Sequence, residues 1–124
     1  MDKDSGAEFP KSARLLTARD YRRVFDDARA FRHPAFTLLV RENQVGRPRL
    51  GLILAKKNVR LSVQRNRIKR LARESFRASR QRLPAVDIIF LARRGIDKLD
   101  NARIRQALTK QWRRISTHFS PNTG

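Results

Sequence analysis

Residues 64–77 read QRNRIKRLARESFR: six basic side chains, a single acid at Glu74, and an apolar residue every three or four positions. At about 100° per residue, Ile68, Leu71, Ala72, Ser75 and Phe76 fall at i, i+3, i+4, i+7 and i+8, the spacing of a helix lying on a core. Asn66, Arg70, Arg73 and Arg77 fall on the opposite side, with Arg65 and Lys69 beside them. The stretch therefore predicts a helix with one dry face and one cationic face.

Apolar runs flank this helix on both sides. RLGLILA (residues 49–55) and VDIIFLA (86–92, after Pro84) are nearly continuous, as in strands covered on both faces. Upstream, residues 29–33 and FTLLVRE (36–42) predict two short strands separated by Pro34, and NQVGRP (43–48) predicts a turn. Thr17 and Asp20 match a capping box, followed by Tyr21, Val24, Phe25 and Ala28 on one helical face. Asp100 caps a last helix, expected to end near Ser116, with Ile104, Ala107, Leu108, Trp112 and Ile115 on its apolar side. The order αβββαβα predicts an α+β fold, a four-stranded mixed sheet with packed helices. A single domain is expected over residues 14–117. Residues 1–13, with Phe9-Pro10 as an anchor, are expected to be flexible, as are residues 118–124.

Composition bounds the function. The chain has 124 residues, enough for one core, and 40% of them are hydrophobic, so charge decorates a fold instead of replacing it. Thirty basic residues against eleven acids give a net charge of +19, and 23 of the cations are arginine. Lys56–Arg82 alone carries eleven basic residues and one acid. Like charges one helical turn apart repel by a few tenths of about 1 kcal/mol per pair, and phosphate contact offsets that repulsion through counterion release. A solvated helix face is the bland alternative. The absence of alternating sign, the arginine excess and Asn66 among the cations favour a polyanion, with nucleic acid ahead of an anionic membrane. A helix between two sheet strands, exposing almost only charge, suits folded RNA better than the major groove of DNA.

No cysteine is present, which excludes disulfides and thiolate metal sites. No signal peptide or run of about 20 apolar residues is seen, so a soluble, cytoplasmic protein is expected. His33 and His118 are far apart, and Asp26 and Asp27 diverge by about 100° on a helix. No nucleophile–base pattern, glycine-rich phosphate loop or metal-ligand cluster is legible, so no catalytic or metal-binding residue of the protein is expected.

AKKNVRLSVQRNRIKRLARESFR (55–77) resembles the signature of the bacterial ribonuclease P protein subunit: a lysine pair at a strand end, then an Arg-Asn-Arg helix. The similarity extends to Leu15-Leu16-Thr17, Tyr21-x-x-Val24-Phe25, Pro84-Ala85-x-Asp87, Leu99-Asp100-Asn101 and Trp112-Arg113-Arg114, covering residues 12–115. The resemblance implies a ribosomal-protein-like sandwich with a left-handed βαβ crossover. It also implies a protein that joins a catalytic RNA, one to one, to remove the 5′ leader of precursor tRNA, with Mg2+ held mainly by RNA and substrate. Carried onto this chain, the RNA-binding residues are Lys56, Lys57, Arg60, Arg65, Asn66, Arg67, Lys69, Arg70, Arg73 and Arg77. The leader-binding cleft takes Tyr21, Phe25, Phe36 and Leu39, for whose aromatics core packing is the alternative. A structural ribosomal protein or other RNA binder with no part in cleavage is the competing function.

Overall fold

The computed structural model describes residues 17–119. The expected flexible segment 1–13 and the last five residues lie outside that range. The elements are α1 (Ala18–Asp26), β1 (Arg29–His33), β2 (Phe36–Glu42), β3 (Arg49–Ile53), α2 (Ser62–Ser79), β4 (Val86–Ala92) and α3 (Asn101–Phe119). Short 3-10 turns at Arg80–Arg82 and Ile96–Lys98 follow α2 and precede α3. The sheet order is β1-β2-β4-β3, with β3 and β4 parallel and the other pairs antiparallel, so α2 is the crossover between neighbouring parallel strands.

Strand parity divides the side chains between two faces. Phe31, Phe36, Leu38, Val40, Leu50, Val86, Ile88 and Phe90 face α2 and α3 and form the main core with Ile68, Leu71, Ala72, Phe76, Ile104, Leu108, Trp112 and Ile115. The apolar face read for α2 is thus its buried face. Trp112 Nε1 donates to Ser75 Oγ at 2.7 Å, and the Trp112 and Phe76 rings meet edge to face, which fixes α3 against α2.

The opposite sheet face is half covered by α1. Thr17 Oγ1 accepts the Asp20 N–H at 3.1 Å, as the capping motif predicts. The Asp20 carboxylate, however, faces Arg49 at 3.5 Å. Val24 seats on Ile89, both fully buried, with Tyr21, Ala28, Leu39, Ile53 and Leu91 around them. A Cβ on Gly51 would lie 2.6 Å from the Tyr21 hydroxyl, so glycine is what allows the phenol to rest on β3.

The expected C-terminal tail begins too early. His118 and Phe119 are helical, and both rings pack on Phe31, at 5.9 and 6.3 Å between centroids. This contact with β1 carries α3 past Ser116.

Candidate nucleic-acid interface

Because β3 and β4 are parallel, their C-terminal ends lie at one edge of the sheet, and the segments that leave them adjoin. The first carries Lys56, Lys57 and Arg60, all exposed, into α2. The second carries Arg94 and Lys98. Lys57, Arg60, Arg94 and Lys98 line one open depression together with Asn58, Leu61, Gly95 and a single acid, Asp97. Asn58 holds the two segments together by donating from Nδ2 to the Ala92 carbonyl at 3.1 Å. Arg94 and Lys98 escaped the sequence reading. They lie outside the long basic stretch, and only the parallel pairing of β3 and β4 brings them beside it.

The predicted residues of α2 divide into two groups. Asn66, Arg70 and Arg77 are exposed, and Lys69 and Arg73 are partly covered. Arg65 and Arg67 are anchored instead. Arg65 Nη1 donates to the carbonyls of Val59 and Arg60, each at 2.8 Å, and so fixes the loop entering the helix. Arg67 donates from Nε to Gln64 Oε1 (2.9 Å), from Nη1 to Asn101 Oδ1 (2.7 Å) and from Nη2 to the Asp97 carbonyl (3.2 Å). These acceptors are neutral, so both guanidiniums keep their charge while their N–H groups brace α2 against its neighbours. The start of α2 has no acid in its first turn and no side-chain cap. Unpaired helix N–H groups and the surrounding cations therefore give this end a positive field.

The α1 face of the sheet is built in cross-strand rows. Arg41–Asp87–Arg49 forms one row, Leu39–Ile89–Gly51 the next, and Thr37–Leu91–Ile53 a third. In the first row Asp87, 1% exposed, accepts from Arg49 Nε (2.8 Å) and Nη2 (2.9 Å) and from Asn43 Nδ2 (2.8 Å). Arg23 stands 3.9 Å from its second oxygen. The hydrogen bonds to Asp87 push the Arg49 guanidinium pKa further up. Arg41 Nη1 donates to the Arg23 carbonyl at 2.6 Å, closing the end of α1 onto the sheet.

Tyr21 and Phe25 lie one turn apart on α1. Tyr21 is half-buried, and burial raises its phenol pKa, partly offset by a hydrogen bond with the Leu52 backbone. Phe25 is 51% exposed, unusual for a phenylalanine in a domain with a packed core. Leu39 joins Tyr21 in the cluster beneath α1, while Thr37, Leu91 and Ile53 are only partly covered.

Phe36 is a correction. It is fully buried on the α2–α3 face, stacked on Phe90 at 5.1 Å and His33 at 4.8 Å. Phe36 and Leu39 are three residues apart on one strand, and that odd separation puts them on opposite faces. The sheet face beside α1 instead carries Thr37, Ile53 and Leu91, which the same parity rule places there.

The arrangement offers a cationic edge with an anchored helix, and an apolar shelf beside an exposed aromatic. The acids described here do not form a chelating set: both Asp87 oxygens are engaged by guanidinium or amide groups, and Asp20 faces Arg49. No group of three or more potential metal-ligating side chains occurs among the described residues. Nor is any described helix long and apolar enough to cross a membrane.

Comparison with known proteins adds a lineage to this geometry. The family model described as Ribonuclease P matches residues 9–116. The ribonuclease P protein component of Chromohalobacter salexigens is 55% identical over 108 residues, covering 86% of this chain and 84% of that protein. That of Escherichia coli O157:H7 is 48% identical over 106 residues, covering 86% and 89%. Among solved structures, the RNase P protein of Staphylococcus aureus at 2.0 Å superposes with a TM-score of 0.79 at 27% identity, covering 89% of this chain and all of the other. The Thermotoga maritima RNase P protein gives a TM-score of 0.73 at 27% identity, covering 82% and 96%.

Proposed function

The chain belongs to the ribonuclease P protein family, and from that premise we propose that it docks through α2 onto the catalytic RNA of ribonuclease P and helps that RNA remove the 5′ leader of precursor tRNA. One observation carries the reading: α2 buries Ile68, Leu71, Ala72 and Phe76 while turning Asn66 and Arg70 to solvent beside Lys56, Lys57 and Arg60. A solvated face would need no bracing. Here Arg65 and Arg67 hold the cationic edge in one shape before any RNA arrives, which lowers the ordering cost of binding.

The cleft beside α1 supports the second half of the reading. Tyr21 and Phe25 offer aromatic faces, and Leu39, Thr37, Leu91 and Ile53 an uncharged floor, a platform on which unpaired leader bases can stack. Lys56 and Lys57 follow the end of β3, where leader phosphates would pass. On this reading the phosphodiester chemistry is the RNA's. Magnesium ions would be held by RNA and substrate phosphates, not by this chain's side chains, and would supply the Lewis acidity for that chemistry. The protein's own residues position the leader and offset phosphate repulsion around the site, in a one-to-one complex with the RNA.

The test is cleavage of a precursor tRNA by the partner RNA at low magnesium, with and without the protein. Stimulation that falls when Lys69 and Arg70 are both replaced by alanine supports the proposal. No stimulation by the wild-type protein refutes it.

A further inference from the structure

A second cationic surface lies away from α2. It is a groove between α3 and the edge strand β1, formed by two adjoining open depressions that share Lys110. Arg103, Gln106, Lys110, Arg113 and Thr117 recur every three or four residues along α3, a stripe about 21 Å long at about 1.5 Å per residue. Arg29 and His33 face them from β1. Neither α3 nor β1 contains an acid. The floor is fixed: Arg114 lies over the Phe31 ring at 5.5 Å from its centroid and donates from Nη1 to Gln111 Oε1 at 3.0 Å.

We propose that this α3–β1 groove is a second RNA contact, taking the phosphate backbone of a segment other than the one seated on α2. The inference rests on the reading of the protein as a partner of a large folded RNA. Charge complementarity selects the occupant: arginines at helical spacing, with one guanidinium already oriented on an aromatic ring, suit a line of phosphates. Ala30, Phe31, Leu99 and Ala107 also line the groove, but its charged side chains are all cationic, which favours a polyanion over an apolar occupant. Its position makes the contact separate. In the helical layer α3 lies toward β1 and α2 toward β3, at opposite edges of the sheet. The protein would therefore clamp two RNA segments together.

The experiment measures binding to the ribonuclease P RNA as a function of salt for the wild type, Lys110→Ala/Arg113→Ala, Lys69→Ala/Arg70→Ala and Arg105→Ala, the last exposed on α3 outside the groove. All of these side chains except Lys69 are exposed, so thermal melting serves only to verify folding. The groove pair is expected to lower the log–log slope by about 0.7 to 0.9 for each lost contact, with Arg105→Ala changing it less. As an independent readout, the chain lacks cysteine, so Gln106→Cys gives a unique tether for an iron chelate that cuts nearby RNA. Cuts in a segment distinct from those made from Asn66→Cys are expected. An unchanged slope for the groove pair, or no cutting from position 106, overturns the inference. A loss confined to Lys69→Ala/Arg70→Ala would leave the α2 interface standing, whereas no loss in either pair would remove both.

Discussion

Replacing Asp87 by Asn isolates the charge that holds α1 to the sheet. The two side chains have nearly the same volume, so no cavity forms. One oxygen remains as an acceptor, while the other position becomes an NH2 facing Arg49 Nη2, which now lies 2.9 Å from Oδ2. Asp87 is 1% exposed and the Arg49 side chain 15%, so the surviving guanidinium is poorly hydrated. Removing one partner of such a buried pair costs about 3–5 kcal/mol. The Arg23 contact, at 3.9 Å with Arg23 38% exposed, adds little. Asp20, 3.5 Å from Arg49, retains part of the compensation, which places the expected loss near the lower end, about 3 kcal/mol. For a domain of this size that corresponds to a fall in Tm of at least about 12 °C, read by calorimetry or circular dichroism. The double variant Arg49→Met/Asp87→Leu is expected to recover part of the loss, because it removes both charges of the buried pair, while Asp20 and Asn43 lose the partners they have in Arg49 and Asp87. A loss below about 1 kcal/mol for Asp87→Asn would refute the reasoning.

Further outcomes follow from single contacts. Arg67→Lys keeps the charge but cannot reach three separate acceptors, so stability should fall by about 1–2 kcal/mol while the salt slope of RNA binding stays at the wild-type value. Gly51→Ala drives a methyl into the Tyr21 ring, where neighbouring ring carbons stand 2.8 Å from the new Cβ, and should cost about 1–3 kcal/mol by chemical denaturation. His33 has its pKa lowered, by burial first and by Lys110 second, and its Nδ1 accepts the Ala35 N–H at 3.0 Å. The unfolded chain then binds the proton more readily, so stability should fall as pH drops from about 6.5 toward the lower native value. His33→Asn, which can accept the same N–H, should flatten that part of the stability–pH curve.

The fold was legible where periodicity is strong. Ile68 to Phe76 repeat at helical spacing, and residues 86–92 form an apolar run, so α2 and β4 fall where the pattern puts them. Asp87, inside that run, has no local signal to explain it: its partner Arg49 lies 38 residues away and meets it only through the β3–β4 register. The end of α3 was hidden for the same reason, since His118 and Phe119 are held by Phe31. In the candidate site, sequence identified which residues are cationic but not which are bound to backbone. Arg65 and Arg67 look like Arg70 in a linear reading, yet their guanidiniums brace the fold. Phe36 went to the wrong face because aromatic character outweighed strand parity.

The most direct measurement is the affinity of Lys69→Ala/Arg70→Ala for the ribonuclease P RNA across a salt series. If the outward side of α2 seats on RNA phosphates, the log–log slope falls by about 1.4 to 1.8 and melting stays near the wild-type temperature. A slope and affinity equal to the wild type's would mean that the guanidinium stripe is surface decoration and that the RNA docks elsewhere.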